Sequence, residues 1–408
     1  MEKGEKMFNL NGFISEYVTK RPCSMFKGDI EKNAEELKSK IENKSVLVIG
    51  GAGSIGSSFI KAILPFRPAS VVVVDTNENA LTELTRDLRS SKGMFVPDDY
   101  VTYPMSFASS VFEKMFIKRG GFNIVGNFSA HKHVRSEKDV YSVEALLRNN
   151  VLHAKILLDL LAKYPPEEYF CVSTDKAANP VNIMGASKRI MEDLIFSYSD
   201  LFPVKTARFA NVAFSNGSLP AGFLARISKL QPLSAPSDVK RYFVSPEESG
   251  QICMLACMLG KNREIFFPKL EEAQMMTFDR IGTELLRAHG YEVIECASDE
   301  EAIEMAEKLK SGSREYPVHY SDSDTSGEKP FEEFVTETEK ADLDRFSSLG
   351  VIIGKQIPDR GRVEILFNEL DDAFGKETTT KEEIVDIMEK YLPSFKHIET
   401  GKSLDGKM

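Results

Sequence analysis

The stretch Val46-Leu-Val-Ile-Gly50-Gly-Ala-Gly53-Ser-Ile-Gly56 decides the fold of this chain. A short apolar run predicts a buried parallel strand, three glycines at three-residue spacing follow it, and residues 57–64 can form a helix. In this pattern the first glycine allows a tight turn, the second lets the backbone approach a pyrophosphate, and the third lets the helix pack closely on the strand. The free N–H groups at the start of the helix favour phosphate. We therefore predict a dinucleotide site that includes Gly50, Gly53, Ser54, Ile55 and Gly56.

An acidic residue at the end of the next apolar run selects the cofactor. The run Val71-Val-Val-Val-Asp75 ends about 20 residues beyond the glycines, as the dinucleotide fingerprint requires. A carboxylate there accepts hydrogen bonds from ribose hydroxyls but repels a 2′-phosphate. No arginine stands at residues 76–79 to offset that repulsion, so Asp75, with Asn77 beside it, predicts NAD rather than NADP. The alternative is an acid at a strand end that is only solvated.

Composition places the chain among soluble globular proteins. It has 408 residues, 42% apolar and 28% charged, with no run near the ~20 apolar residues of a membrane span. The N-terminus lacks the apolar stretch of a secretory signal, and the net charge of −10 argues against nucleic-acid binding. Five cysteines without a Cys-x-x-Cys pair favour the reducing cytoplasm. The pair His131 and His133 lacks further ligands at suitable spacing, so we expect no metal site.

Strand and helix patterns alternate from residue 46 to about residue 212. This alternation predicts an α/β fold, with a doubly wound parallel sheet covered by helices on both faces. We divide the chain into a helical extension (1–44), an NAD-binding domain (45–212) and a smaller, mainly substrate-binding subdomain (213–408). Within the last region, 264–268 is expected to return to the first sheet. Residues 290–345 are expected to be an acidic insertion at the surface.

Hydroxyl, carboxylate and amine side chains follow the fifth predicted strand, in Ser173-Thr174-Asp175-Lys176. Ligands lie beyond the carboxyl ends of the strands in a doubly wound sheet, so these residues are candidates for the active site. The alternative is an ordinary loop with a surface ion pair. Further along, Met184 and Lys188 are four residues apart and share one face of a predicted helix, from which Lys188 can reach the nicotinamide ribose.

These motifs resemble the extended short-chain dehydrogenase/reductases. More narrowly, the chain is similar to the nucleotide-sugar 4,6-dehydratases of capsule, flagellin and protein glycosylation, which act on UDP-N-acetylglucosamine. The resemblance runs from about Asn43 to Leu270 and leaves the later residues uncovered. It rests on the glycine stretch 50–56 and on Ser129-Ala-His-Lys132-His-Val134, Asn149-Asn150-Val151, Ser173-Thr-Asp-Lys-Ala177, Asn182-Ile-Met-Gly-Ala-Ser-Lys188, Arg208-Phe-Ala-Asn211-Val and Lys240-Arg241-Tyr-Phe243.

The resemblance implies a reaction in which C4 of the sugar is oxidised by NAD, water leaves across C5 and C6, and hydride returns to C6. It implies Lys176 as the base at C5 and Asp175 as the acid at O6. Lys176 acts as a base only when neutral, so we expect burial, Lys188 and the nicotinamide charge to lower its pKa. Because neighbouring residues on an extended strand point in opposite directions, the chain must bend after Thr174 for both side chains to meet one sugar.

One residue departs from the superfamily pattern Tyr-x-x-x-Lys, because Met184 stands in place of the tyrosine. A thioether cannot take up a proton, which makes a simple alcohol dehydrogenase or a usual 4-epimerase a poorer match. The group that receives the O4 proton stays open, with Thr174 and a water ahead of Asp175. Met184 and the NAD preference lean weakly towards retention at C5.

The remaining contacts follow from the resemblance. It implies Ser129, Ala130, Asn150 and Ser173 at the cofactor, Lys132 at cofactor and sugar, and Asn211, Ser215, Ser218 and Arg241 at the sugar or diphosphate, where a guanidinium binds phosphate well. The alternatives are a solvated helix position for Asn150 and a surface salt bridge for Arg241. Asn216 stands where the family commonly has arginine, and Ser106 where an aspartate usually meets the adenine.

The sequence thus predicts a cytoplasmic NAD-dependent dehydratase of UDP-N-acetylglucosamine or a close relative, which would supply a deoxy-amino sugar for surface glycans. Two alternatives remain: a nucleotide-sugar epimerase on the same fold, and a non-catalytic regulator that binds NAD or a nucleotide sugar. We also expect a homo-oligomer, because the predicted helix 140–162 resembles the dimer helix of the superfamily. The nucleotide base, the 2-substituent of the sugar, the C5 configuration and the final glycan stay open.

Overall fold

The computed structural model describes residues 8–133, 137–323, 329 and 331–398. Some positions of the predicted regions lie outside the described residues. They are the first seven positions of the helical extension, Val134 of the motif at 129–134, several positions within the acidic insertion, and the positions after residue 398.

Within the described residues the chain alternates strands and helices as far as β6 and then becomes more irregular. The strands are β1 (Ser45–Ile49), β2 (Ser70–Asp75), β3 (Asp99–Pro104), β4 (Ile124–Asn127), β5 (Glu168–Val172), β6 (Val204–Ala207), β7 (Asn211–Val212), β8 (Leu233–Pro236), β9 (Lys240–Arg241), β10 (Phe243–Val244), β11 (Glu264–Pro268), β12 (Met276–Thr277), β13 (Glu292–Glu295), β14 (Glu315–Ser321), β15 (Lys340–Asp342) and β16 (Leu349–Ile353). The α-helices are α1 (Leu10–Phe13), α2 (Lys27–Lys32), α3 (Ala34–Ile41), α4 (Ser54–Ile63), α5 (Glu78–Ser90), α6 (Ser110–Arg119), α7 (Val140–Leu147), α8 (His153–Lys163), α9 (Ile183–Phe196), α10 (Leu219–Ser228), α11 (Pro246–Leu259), α12 (Phe278–Ala288), α13 (Asp299–Ala306), α14 (Arg360–Phe374) and α15 (Lys381–Tyr391).

The central sheet has the order β15-β16-β11-β6-β5-β4-β1-β2-β3 among the described residues. Its strands from β3 to β11 pair in parallel, and the prediction of a doubly wound α/β fold is confirmed. The apolar runs of β1 and β2 are almost entirely buried because helices cover both faces of such a sheet. The two antiparallel strands β16 and β15, which extend the sheet beyond β11, were not predicted.

Two apolar layers hold the helices on the sheet. One layer joins the sheet to α3, α4, α5 and α11, and the other joins it to α6, α7, α8, α9, α14 and α15. Helix α14, which was not predicted, lies along α8, where Lys155 pairs with Glu364 at 3.3 Å. In the stretch from which we predicted an oligomer, Tyr141 and Ile156 are nevertheless exposed.

A smaller unit follows β6. Its parallel sheet β13-β14-β8 packs with α10 and α12, and Phe13, Ile14 and Val18 of the N-terminal extension join the same apolar cluster. Two short pairs, β7 with β10 and β9 with β12, connect this unit to the carboxyl edge of the main sheet. None of the helices in the described part of the chain is long and apolar enough to cross a bilayer.

Candidate active site

The site lies at the carboxyl ends of β1 and β4, where the strand order of the sheet reverses. Gly50 has φ +70°, and a Cβ atom there would lie 2.5 Å from the backbone nitrogen of Ser129. A Cβ atom at Gly56 would overlap the carbonyl oxygen of Gly50. These two positions therefore leave room for glycine only, and α4 begins at Ser54, with its first N–H groups available to a pyrophosphate.

Asp75 is held beside the glycine turn. Its carboxylate accepts hydrogen bonds from the backbone nitrogens of Ala52 (3.1 Å) and Asn77 (3.0 Å). The side chain of Asn77 accepts from the nitrogen of Ala80 and caps α5, so it already has a structural partner. Asp75 thus stands where a ribose would meet it, and the residues around the turn fit an NAD molecule.

The helix that follows β4 contains a π turn, Arg148–Leu152, between α7 and α8. Asn150, in this turn, accepts a hydrogen bond from the nitrogen of His131 (2.8 Å) and donates to its carbonyl oxygen (2.9 Å) and to Ser187 Oγ (3.1 Å). Asn150 is buried, so its alternative interpretation as a solvated residue is wrong. It fixes the loop after β4 against α9, and Ser129 in that loop donates to Asn149 (3.3 Å).

The chain bends after β5, as we expected for two neighbouring side chains that meet at one place. Thr174 is extended, and residues Asp175–Ala177 form a single 3-10 turn. Thr174 Oγ1 donates to Asp175 Oδ1 at 2.8 Å, and Lys176 Nζ lies 3.6 Å from the same oxygen. The hydroxyl, carboxyl and amino groups of three successive residues therefore lie in contact, with Asp175 buried.

A third carboxyl group, which the sequence analysis missed, completes this cluster. Glu332 Oε1 lies 3.2 Å from Lys176 Nζ, and Glu332 is only 5% exposed. Burial raises the pKa of Glu332 even though Lys176 opposes this effect. The acidic insertion is thus only partly a surface feature. The available sequence signal was the pair of aromatic residues around this position, since Phe334 stacks on Phe267 with ring centres 5.9 Å apart.

The expectation that the pKa of Lys176 is lowered is wrong for this structure. Burial lowers the pKa of this amine, and Arg241 acts in the same direction, but the negative charges of Asp175 and Glu332 outweigh them and raise it. Lys188 behaves differently: burial lowers its pKa, and its amine donates to the carbonyl oxygen of Val172 at 3.1 Å.

Among the predicted substrate residues, Arg241 faces this cluster, where its charge acts on Lys176. Arg241 is buried and donates to the carbonyl oxygens of Lys240 and Lys329, both at 2.9 Å, so it does not lie at the surface. Lys132 is exposed, and its amine reaches Ser215 Oγ at 3.5 Å. The nitrogen of Asn216 donates to Ser54 Oγ at 2.8 Å, which brings this loop to the start of α4.

Several predicted site residues use their polar groups elsewhere. Ser218 caps α10 by accepting from the nitrogen of Ala221, and Ser173 donates to Glu192 at 2.7 Å. Asn211 pairs through its backbone in β7. Met184 is buried in the first turn of α9, where its nitrogen donates to Glu137, a buried acid that the sequence analysis also missed. Ala130 and Ile55 are half-buried beside the glycine turn.

The sheet order, the glycine turn and the acid at the end of β2 define the class: this is a doubly wound Rossmann fold. The profile of the family described as "Polysaccharide biosynthesis protein" matches residues 46–352, and the chain belongs to this family.

Curated relatives agree with this assignment at low identity. The chain is 29% identical to an uncharacterised membrane protein of Methanocaldococcus jannaschii, over 87% of this chain and 98% of that protein. It is 27% identical to the probable polysaccharide biosynthesis protein EpsC of Bacillus subtilis, over 68% of this chain but only 46% of EpsC. A UDP-N-acetylglucosamine 4,6-dehydratase (inverting) of Campylobacter jejuni is 25% identical over 56% of this chain and 67% of that protein.

Solved structures show the same fold. Pen from Bacillus thuringiensis matches 86% of this chain and 98% of its own, with a TM-score of 0.62 and 19% identity. The dTDP-glucose 4,6-dehydratase DesIV of Streptomyces venezuelae, solved with NAD, matches 71% of this chain and 87% of its own (TM-score 0.54, 19% identity). A UDP-N-acetylglucosamine 4-epimerase of Methanobrevibacter ruminantium matches 87% of this chain and 99% of its own (TM-score 0.54, 16% identity).

Proposed function

We propose that this protein is an NAD-dependent 4,6-dehydratase of a nucleotide-activated N-acetylhexosamine, with UDP-N-acetylglucosamine as the preferred candidate. The observation that carries the proposal is the contact of Thr174, Asp175 and Lys176 in the turn after β5. A dehydration across C5 and C6 needs a base and an acid on neighbouring carbons, and this turn supplies an amine and a carboxyl group side by side.

The residues of the chain take the following roles in the oxidation at C4. The glycine turn and Asp75 would hold NAD, which would supply the hydride acceptor and later the hydride donor. Thr174 receives the O4 proton while its own proton passes along the 2.8 Å hydrogen bond to Asp175. This route supports Thr174 as the O4 acceptor in place of the missing tyrosine.

The elimination of water then uses the proton that Asp175 has received from Thr174. Lys176 removes the C5 proton, the C6–O6 bond breaks, and Asp175 gives its proton to the departing oxygen, which leaves as water. After hydride has reached C6, Lys176 returns its proton to C5, and all groups recover their starting state. Because Lys176 is cationic when paired with two carboxylates, it has to lose a proton before it can act.

Binding residues surround the reacting carbons in this proposal. Arg241 would hold the diphosphate together with Lys132 and Ser215, which lie within 3.5 Å of each other. Lys188, whose amine donates to the carbonyl oxygen of Val172, would bind the nicotinamide ribose. We further propose that the protein acts in the cytoplasm as a homo-oligomer, for which the exposed side chains of Tyr141 and Ile156 offer an apolar contact.

Product analysis tests the proposal. The purified protein is incubated with NAD and a panel of UDP-, GDP- and TDP-hexoses, and the products are examined by mass spectrometry and proton NMR. Loss of one water from a UDP-N-acetylhexosamine supports the dehydratase, whereas conversion without a change in mass supports an epimerase, the activity named for several proteins of the same fold. Binding of NAD without conversion of any sugar supports a non-catalytic regulator.

A further inference from the structure

The charge environment of Lys176 is set from a distant part of the chain. The amine lies between Asp175, at 3.6 Å in its own turn, and Glu332, at 3.2 Å from the acidic insertion. Among the described residues, Arg241, from β9, and Lys329 also face this pair. Two acids and one buried guanidinium thus surround one amine at the carboxyl edge of the sheet.

Glu332 is held in this position from both sides. Before it, Arg241 donates to the carbonyl oxygen of Lys329 at 2.9 Å, and the amine of Lys329 donates to the carbonyl oxygen of Asn179. Directly after it, Glu333 accepts a hydrogen bond from Asn179 at 2.9 Å.

Glu332 belongs to the segment of residues 331–339, and this segment has a second anchor at its other end. Arg208, which is fully buried, donates to the carbonyl oxygen of Phe334 at 2.8 Å and to Glu339 at 2.7 Å. With the segment fixed at Asn179 and at Arg208, the carboxylate of Glu332 cannot move far without breaking several hydrogen bonds. Its contact with Lys176 is therefore a fixed part of the site.

We propose that Glu332 is a positioning residue of the active site, which directs the amine of Lys176 and sets its charge. The inference deepens the proposed function, on which it rests, because the charge of Lys176 decides whether this amine can remove a proton from C5. The burial of Glu332 and the raised pKa of Lys176 support it. An opposite charge within about 4–6 Å favours the charged form of a group, so the carboxylate of Glu332 should raise the pKa of Lys176.

The first experiment measures the charge of Lys176 without any turnover. The full-length protein and its Glu332→Gln variant are acetylated briefly over a range of pH, and the modification of Lys176 is followed by peptide mass spectrometry. Removal of the carboxylate is expected to move the midpoint for Lys176 to lower pH by about one unit or more. The control is Glu337→Gln, which changes an exposed acid of the same segment and should leave the midpoint unchanged.

The second experiment uses the enzyme reaction. The rising limb of kcat/KM with pH should move to lower pH in Glu332→Gln by the same amount as the acetylation midpoint, with a larger effect on kcat than on KM. Glu332→Asp keeps the negative charge, so the pH of its rising limb should lie between those of the parent protein and Glu332→Gln. An acetylation midpoint that is identical in folded Glu332→Gln and in the parent protein would overturn the inference. If the midpoint shifts but no nucleotide sugar is converted, the inference about Lys176 stands and the proposed function fails.

Discussion

The glycine turn and the 331–339 segment shape the same site by different means. In the turn, residues 50–56 act through backbone geometry, since side chains at Gly50 and Gly56 would overlap neighbouring backbone. In the segment, one side chain acts through its charge and is held by contacts between residues far apart, such as Asn179 and Glu333, 154 positions from each other. The first kind of site is visible as a contiguous motif, and the second exists only after the chain has folded.

The largest expected effect tests the chemistry that both regions serve. Lys176→Ala removes the proposed base and should lower kcat by about 10²–10⁴-fold, while NAD remains bound because the glycine turn is untouched. Asp175→Asn should lower kcat comparably by removing the proposed acid. Steady-state kinetics and NAD titration measure the two effects, with Lys114→Ala, an exposed lysine, as control. Full activity in either site variant would contradict the assigned roles.

Breaking the anchor of the 331–339 segment should produce the next largest effect. Arg208 pairs with Glu192 at 2.8 Å and with Glu339 at 2.7 Å, and Arg208→Met leaves both acids without this partner. We expect a loss of about 3–5 kcal/mol in the free energy of unfolding, measured by urea denaturation. The exposed pair of Arg287 with Glu284 gives the control, Arg287→Met, with an expected loss below about 1 kcal/mol.

The loss of stability in Arg208→Met should also depend on pH. Arg208 holds the pKa of Glu339 well below its ordinary value, against the opposing effect of burial. The stabilisation is therefore complete at neutral pH and is lost as the pH falls and the carboxylate becomes protonated. The difference in stability between the parent protein and Arg208→Met should shrink in acid, and a constant difference would argue against this ion pair as its source.

For the glycine turn, we expect an effect of intermediate size on NAD affinity when Asp75, which lies beside the turn, is replaced. Asp75→Ala removes the acceptor for the ribose hydroxyls and should weaken NAD binding by about tenfold or more, because hydrogen bonds to charged groups contribute about 1.5–3 kcal/mol. Binding of NADP should improve relative to NAD as the repulsion of the 2′-phosphate disappears. Calorimetric titration with both cofactors measures this, and Asp98→Ala, an exposed acid, is the control.

The smallest expected effect tests whether Asn77 is a helix cap or a direct ligand of NAD. Asn77 caps α5, so Asn77→Ala should lower the free energy of unfolding by about 1 kcal/mol and weaken NAD binding less than Asp75→Ala does. Asn77→Asp, which restores a capping oxygen, should recover the lost stability in thermal denaturation. A large loss of NAD affinity with unchanged stability would instead support Asn77 as a direct ligand.

Local patterns explain which parts could be predicted from the sequence. The strands up to β6 and the glycine turn depend on periodicity and on backbone freedom, which are local. The bend after Thr174 was expected because the resemblance implied that Asp175 and Lys176 act on one sugar. Glu332 and Glu137 could not be predicted, because an acid in a polar stretch looks the same whether it is solvated or buried against an amine. The strands β15 and β16 and helix α14 lie beyond the region that the motifs cover.

The position of Glu332 also bears on how the protein is made. Residues 45–207, which contain the strands from β1 to β6, leave the ribosome before residue 332 is translated. An N-terminal domain generally folds first during synthesis, so a nascent chain can assemble its nucleotide-binding half while the amine of Lys176 still lacks one of its two counter-charges. On the proposal above, Lys176 thus acquires its second counter-charge only late in translation, when the acidic stretch has emerged and docked.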